Sequence, residues 1–471
     1  MITPVDTDTI CAIATSPGRS GVGIVRVSGP LCRQIVKAVT GFSPTPRHAH
    51  YCDFHNSHAA VLDQGIVLFF PSPHSFTGED VVEFQGHGGF YVLNSLLQEI
   101  LKLGGRMARP GEFSERAFIN DKMDLTQAEA IADLIDSSSE QAARSALRTL
   151  QGEFSRLINT LANSITDLRV YIEASIDFSE EDIDFLSEGN IAGKLAEVIR
   201  QLDAVLEQAR QGAILKEGMS VVIAGKPNAG KSSLLNALAG KESAIVTAIA
   251  GTTRDILSEQ INIDGMPLHV TDTAGLRSSD DVVEQEGIRR ALEAIKNADR
   301  ILLVIDSSTD KVGESDLPAY LQSIGFAQLT EALDPPRLTI VQNKIDLISG
   351  TNVQFADNPR ADIHQNAVIP VINLSARQQI GIDLLRKHLK DIMGYHSSGE
   401  GGFIARSRHL EALRLARENL LQAQHQLVHS RAGELVAEDL RHAHQHLGEI
   451  TGEFTTDDLL GRIFASFCVG K

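Results

Sequence analysis

A chain of 471 residues, 42% hydrophobic and 22% charged, is long enough for about three domains of ~150 residues each. Its net charge of −18, from 43 Lys and Arg against 61 Asp and Glu, excludes a protein whose whole surface grips nucleic acid, while leaving room for a local basic face or for RNA held mainly by a partner. No run approaches the ~18 apolar residues of a membrane span, and Cys11, Cys32, Cys52 and Cys468 lack zinc-site spacing.

The first six residues carry neither the basic stretch nor the long apolar stretch of a secretory leader, which predicts a cytoplasmic protein with reduced thiols. Residues 1–120 mix short β-like runs (22–27 and 65–70) with Gly/Pro turns and helical patterns such as 92–97, and read as an α+β domain. From about 123 to 212 apolar residues recur at helical spacing, first Leu125, Ala128, Ile131, Leu134 and Ile135, then Leu147, Leu150, Phe154, Leu157 and Leu161. Long α-helices are expected there.

From 216 to about 394 strands alternate with helices, at 219–224, 256–263, 267–271, 300–305, 338–342 and 368–373, which implies a parallel-rich, doubly wound sheet. Residues 225–232 read Gly-Lys-Pro-Asn-Ala-Gly-Lys-Ser, a complete phosphate loop between a strand and a helix start. Gly225 and Gly230 let the backbone curl so that N–H groups around Asn228, Ala229 and Gly230 face phosphate oxygens. Lys231 reaches the outer phosphates, Ser232 is placed for Mg²⁺, and Ser233 continues the helix whose N-terminus favours an anion. Asn228 reads in two ways, as a residue that shapes the turn or, with the carbonyls of 247–252, as part of a cage for a monovalent cation that neutralises developing charge. In Gly251-Thr252-Thr253-Arg254-Asp255, at the place of a first switch, Thr253 is a second hydroxyl for Mg²⁺.

Asp264-Gly265 signals a hairpin turn. Asp272, Thr273, Ala274 and Gly275 follow a strand, where a carboxylate holds the Mg²⁺ shell and a Gly N–H senses a γ-phosphate. The next position, where many GTPases place a water-orienting Gln, is Leu276. Hydrolysis must therefore recruit another group. Glu284 reads either as that group or as a solvated helix acid. Asn343, Lys344 and Asp346 follow the strand at 338–342; a carboxylate at Asp346 accepts from guanine N1–H and the N2 amine, and repels adenine. Ser375 and Ala376 sit where a backbone N–H meets the guanine carbonyl. The ligand is read as GTP.

Residues 395–402 are a linker and 403–450 are helical again, so the α/β domain is expected to interrupt a helical one. The boundaries are 1–121, 122–215, 216–394 and 395–471, the last ending in Phe-Cys-Val-Gly-Lys. Cys468 reads either as a low-pKa nucleophile or as a small residue that holds the tail in place.

These motifs, with Gly21-Val22-Gly23-Ile24-Val25-Arg26, Phe76-Thr77-Gly78-Glu79-Asp80, Gln85-Gly86-His87-Gly88-Gly89, Arg109-Pro110-Gly111-Glu112-Phe113-Ser114 and the C-terminal Phe467-Cys468-Val469-Gly470-Lys471, resemble the MnmE (TrmE) family of tRNA-modification GTPases over essentially the whole chain. The resemblance implies an N-terminal domain that binds folate and forms a homodimer, and a helical domain carrying an inserted Ras-like GTPase module. It implies action with the flavoprotein MnmG, an FAD protein, in a heterotetramer. That assembly would install a carboxymethylaminomethyl or aminomethyl group at C5 of the wobble uridine of certain tRNAs. The one-carbon unit would come from a methylene-tetrahydrofolate, the bound folate being 5,10-methylene-tetrahydrofolate or 5-formyl-tetrahydrofolate. Carried over by motif position, K⁺ would be held by Asn228, Thr247, Ile249 and Thr252, and Mg²⁺ by Ser232 and Thr253. Glu284 would orient water, and Arg26, Glu83, Lys122 and Lys471 would surround the folate. A ribosome-assembly or RNA-binding GTPase switch shares the nucleotide motifs; the acidic helical tail without a Gly-x-x-Gly clamp disfavours it.

Overall fold

The structure is a computed structural model that describes residues 8–16, 18–137, 139–177, 190–240, 258–272, 293–296, 298–310, 317–323, 337–348, 360–364, 367–395, 402–430, 432–454 and 456–470. The chain divides into two compact units. One comprises Met1–Ala132, Leu147–Val205 and Glu411–Lys471; the other comprises Asp133–Ala146 and Leu206–Leu410.

In the first unit, β1 (Ile10–Ile13), β2 (Ser20–Ser28), β3 (His50–His55), β4 (Val61–Phe70), β5 (Val81–Gly88) and β6 (Arg106–Met107) form a sheet of order β3-β4-β5-β2-β1-β6. Only the β1–β6 pair is parallel. Alternation along β2 and β5 sends Val25, Val27, Val82 and Phe84 into one core, shared with Ile35, Val36 and Val39 of α1 (Cys32–Thr40) and Leu93, Leu96, Leu97 and Ile100 of α2 (Phe90–Lys102). The expected runs at 22–27, 65–70 and 92–97 lie inside β2, β4 and α2. After α3 (Glu112–Ile119), the first turns of α4 (Leu125–Ile135) bury Leu125, Ala128 and Ala132 against Ile463, Phe464 and Phe467 near the C-terminus. Ile135 is exposed, so the buried stripe of α4 lies one position beyond part of the expected one.

The expected stripe from Leu147 to Leu161 belongs to two helices, α5 (Glu140–Leu150) and α6 (Glu153–Asp177). Between them Gly152 takes φ 81°, a left-handed conformation that ends a helix. On α6 Phe154, Ile158, Leu161, Ile165, Leu168 and Ile172 are buried. They recur every three to four residues, and the helix packs on α12 (Gly433–Thr451), which buries Val436, Leu440, Ala443, Leu447 and Ile450. Other helices are α7 (Ile191–Glu217), α11 (Ser407–His425) and α13 (Asp457–Ala465).

The second unit holds β7 (Met219–Ala224), α8 (Lys231–Ala239), β8 (Ser258–Ile263), β9 (Met266–Asp272), β10 (Arg300–Asp306), α9 (Leu317–Ser323), β11 (Leu338–Asn343), β12 (Arg360–His364), β13 (Ala367–Asn373) and α10 (Ile382–Met393). The sheet order is β12-β13-β11-β10-β7-β9-β8, with the five central strands parallel and both edges antiparallel. Strand β7 is buried on both faces. Met219, Val221 and Ile223 enter one apolar cluster and Val222 and Ala224 the other, as a parallel strand covered on both sides requires. Edge strand β12 is an addition to the six expected strands. The linker expected from 395 begins with a buried residue, Tyr395, whose hydroxyl donates to Gln141 Oε1 (2.9 Å). Residues 403–405, expected to be helical, are buried and non-helical, and α11 begins only at Ser407.

Candidate functional site

The carboxyl ends of β7, β10, β11 and β13 point their loops to one edge of the sheet, where open α/β sheets place ligands. The loop between β7 and α8 takes left-handed or positive φ at Gly225 (150°), Asn228 (64°) and Gly230 (97°). A Cβ on Gly230 would collide with the Asn343 side-chain amide, so this close approach needs glycine. Asn tolerates left-handed backbone better than most residues, which is one physical reason for Asn228 whatever its side chain binds. Ala229 and Lys231 are buried, whereas Asn228, Ser232 and Ser233 are exposed. The Lys231 ammonium donates to the carbonyls of Gly225 (2.9 Å) and Lys226 (3.0 Å), which places a cation inside the curl. Curl, cation and helix N-terminus together suit a polyphosphate.

Asn343 joins three loops. It is 2% exposed, donates from Nδ2 to the Ala229 carbonyl (3.0 Å) and accepts at Oδ1 from the Ala376 N–H (3.0 Å). The phosphate loop and the loops after β11 and β13 are thereby held together by one amide. Ala376 N–H, expected to meet a guanine carbonyl, is engaged by Asn343, and the Ser375 N–H donates to the Ile380 carbonyl (2.9 Å). A base carbonyl at this position would share the Ala376 donor. Lys344 takes φ 62° and its ammonium bonds Asp306 Oδ2 (2.6 Å). Burial pushes the Asp306 carboxyl up, but hydrogen bonds from Lys344 and Ser308 win and hold it below the usual carboxylate range. Asp346 is half-buried in the short 3₁₀ turn Ile345–Leu347 and makes no hydrogen bond to another described residue.

Sequence reasoning missed the bridging position of Asn343 and a second cation of the loop, Lys226, which bonds Asp310 Oδ1 (2.9 Å) and lies 4.8 Å from the Tyr320 ring centroid. Asp272 closes β9, its side chain outside the described part. Thr247, Ile249, Thr252, Thr253, Thr273, Ala274, Gly275, Glu284 and Lys471 lie outside the described residues.

In the first unit, Arg26 and Glu83 face each other across β2 and β5 and are joined Nε to Oε1 (3.0 Å) and Nη2 to Oε1 (2.9 Å). Arg26 Nη1 also donates to the Gly470 carbonyl (3.3 Å), and the guanidinium lies over the Phe76 and Phe113 rings at 5.5 and 5.7 Å. The chain end is thus drawn to the Arg26–Glu83 pair, 444 residues away in sequence. A carboxylate, a guanidinium and aromatic faces are a chemically suitable lining for a fused-ring ligand with an acidic tail. Lys122 is exposed and its stem lies against Gly78; no described contact ties it to Arg26. The Cys468 thiol is exposed and is bonded by no described residue, while the Cys468 carbonyl accepts from Gly111 N–H (3.4 Å). Tail placement therefore uses the backbone of Cys468 and leaves its sulfur accessible.

Comparison with known proteins agrees along the whole chain. Residues 9–122 match a family described as GTP-binding protein TrmE N-terminus, and residues 125–468 match one described as MnmE helical domain. The chain is 59% identical over 466 residues to the tRNA modification GTPase MnmE of Proteus mirabilis, covering 99% of each chain. It is 57% identical to that of Marinobacter nauticus and 58% identical to that of Pseudomonas paraeruginosa, again with 99% of each chain covered.

Proposed function

Since the chain belongs to the MnmE family of tRNA modification GTPases, we propose that it couples GTP hydrolysis to installation of an aminomethyl or carboxymethylaminomethyl group at C5 of tRNA wobble uridines, together with the flavoprotein MnmG. The observation that supports the nucleotide half is the pair of hydrogen bonds made by Asn343, which joins the phosphate loop to the loops after β11 and β13 at one sheet edge. GTP would lie with its phosphates in the curl of residues 225–230, near Lys231, and its base against Asp346. Mg²⁺ would be held by Ser232 and Thr253, with Asp272 in its outer shell. A monovalent cation, K⁺, would be held by Asn228, Thr247, Ile249 and Thr252. When bound, the two ions neutralise charge that develops on the phosphates. Glu284 would orient the attacking water that Leu276 cannot.

For the one-carbon half, the support is the Arg26–Glu83 pair with its aromatic lining and the chain end drawn to it. A tetrahydrofolate bound there, with Lys122 and Lys471 as further cations for its acidic tail, would supply the carbon. The N-terminal domain, 1–121, would pair two copies into a homodimer, and the acidic chain would leave most of the tRNA to the partner flavoprotein.

Mass analysis of wobble uridines from cells lacking this protein tests the proposal. The 5-substituted uridines should disappear and return with the intact gene, but not with Lys231→Ala. Unchanged wobble uridines would reject it.

A further inference from the structure

The phosphate loop holds two lysines, and they are tied together through one carbonyl. Lys231 donates from Nζ to the carbonyls of Gly225 (2.9 Å) and Lys226 (3.0 Å). The Lys226 carbonyl also accepts from the Ala229 N–H (3.2 Å). This carbonyl therefore fixes both the ammonium suited to a polyphosphate and the turn of the loop around it. The Lys226 side chain is fastened at a different place. Its Nζ bonds Asp310 Oδ1 (2.9 Å) and lies 4.8 Å from the ring centroid of Tyr320 on α9. Tyr320 is itself buried in the apolar cluster shared with β10 and β11. An ammonium held between a carboxylate and a fixed aromatic face is an anchor for the backbone that carries it.

The anchor belongs to a turn that also serves the loop after β11. Asp306 closes β10, and its carbonyl accepts from the N–H groups of Thr309 (3.2 Å) and Asp310 (2.8 Å). One oxygen of its carboxylate takes Lys344 Nζ (2.6 Å), and the other takes the Ser308 N–H (3.0 Å) and hydroxyl (2.6 Å). Residues 306–310 thus make one closed turn that presents two carboxylates. Asp310 holds the lysine of the phosphate loop, and Asp306 holds the lysine that follows Asn343. Asn343 joins the same two loops through its amide. Held at a second point, the loops lose the pivot that a single amide would leave.

We infer that Lys226 and Asp310 are positioning residues for Lys231: their ion pair anchors the segment whose carbonyl aims the Lys231 ammonium at the outer phosphates of the nucleotide. The inference rests on the nucleotide reading. Sign separates an anchor from a simple field. Acting only through their charges, Lys226 would favour a bound polyphosphate and Asp310 would oppose it. Acting as an anchor, both favour it. Lys231 serves the β- and γ-phosphates, so the effect belongs to GDP and GTP and not to GMP.

Displacement of a fluorescent guanine nucleotide from the full-length protein, at low salt, tests this. Lys226→Met and Asp310→Asn should each weaken GDP and a non-hydrolysable GTP analogue by about three- to tenfold, the range of a partly exposed ion pair with an aromatic contact. The double variant should lie within about twofold of the weaker single one, because both changes break one anchor. Lys226→Arg, which keeps a cation for the carboxylate and the ring, should recover most of the loss. GMP affinity should stay at the wild-type value in every variant, which also reports that the site is folded. Tighter GDP binding in Asp310→Asn, additive losses in the double variant, an equal loss for GMP, or wild-type affinity in both single variants would overturn the inference. Failure of the wild-type protein to bind any guanine nucleotide would instead overturn the nucleotide reading, and the anchor with it.

Discussion

Asn343 closes the junction of three loops with both ends of one amide, and it is almost wholly buried. Asn343→Ala leaves a carbonyl and an N–H without their partner, at about 1–3 kcal/mol for each unpaired group. Binding of a fluorescent guanine nucleotide should weaken at least about tenfold, one decade per ~1.4 kcal/mol; unchanged affinity would mean the loops hold without it. Asp346 tests the base itself. An amide there can no longer accept from both N1–H and N2 of guanine but can donate to a C2 carbonyl. Asp346→Asn should therefore lose GTP turnover at low substrate and regain it with XTP. Glu284→Ala should reduce hydrolysis by about 100-fold or more while GTP affinity stays within about twofold; parallel loss of binding would assign Glu284 a structural role. The residue types at this site were legible from a linear motif, because phosphate binding uses backbone N–H groups of consecutive residues. That Ala376 N–H is shared with Asn343 was not legible, because it depends on how two loops from different strands meet.

Within the second unit, three segments meet at one carboxylate. Asp133 on α4, nearly buried, accepts from Lys216 Nζ near the end of α7 (2.8 Å) and from Arg406 Nη2 just before α11 (2.8 Å). These cations flank the α/β insert at its entry and exit. Ser407 Oγ adds a bond to Glu217 Oε1 (2.6 Å). Asp133→Ala removes the anion shared by these two partly buried cations and should cost about 1–3 kcal/mol in this unit. Thermal unfolding followed by calorimetry should show the loss, and an unchanged transition would mean the cations find solvent without penalty. The turn of the β8–β9 hairpin is held by the same unit: Lys390 bonds Asp264 Oδ2 (2.6 Å), and the Tyr395 hydroxyl shares its one proton between Gln141 Oε1 (2.9 Å) and the Asp264 carbonyl (3.2 Å). Alternation and turn chemistry predicted the hairpin, whereas its contacts required the fold. The split between α5 and α6 at Gly152 shows the converse, an apolar period that runs on across a helix end.

For the molecule as a whole, the two units carry different sensitivities. Asp8, Glu79, Glu112, Arg106 and Arg116 form a partly buried ion network in the first unit. Burial raises the Glu112 carboxyl, but hydrogen bonds from Arg106 and the Arg109 N–H prevail, and its folded-state value is lowered. Asp8 is likewise lowered against its burial, by Arg106 and Arg116. A lowered value contributes stability that is present above the ordinary carboxylate range of ~4 and lost as pH falls through the folded value. Denaturation of the first unit should therefore become easier as pH drops below ~4; a flat profile there would remove the network from its stability. The second unit should respond to cation identity: K⁺ should raise the hydrolysis rate well above Na⁺, and equal rates would sink the cation role of Asn228.

The amino-acid sequence by itself determined the α+β, helical and parallel-sheet segments and the strand–loop–helix context of the phosphate-loop motif, because hydrophobic period and turn chemistry are written in neighbouring residues. Only the tertiary structure decided that Asn343 ties three loops, that Arg26 meets both Glu83 and the Gly470 carbonyl, and that Asp310 holds Lys226. Those meetings depend on strand order and register, which bring together side chains far apart in the chain and which no local pattern encodes.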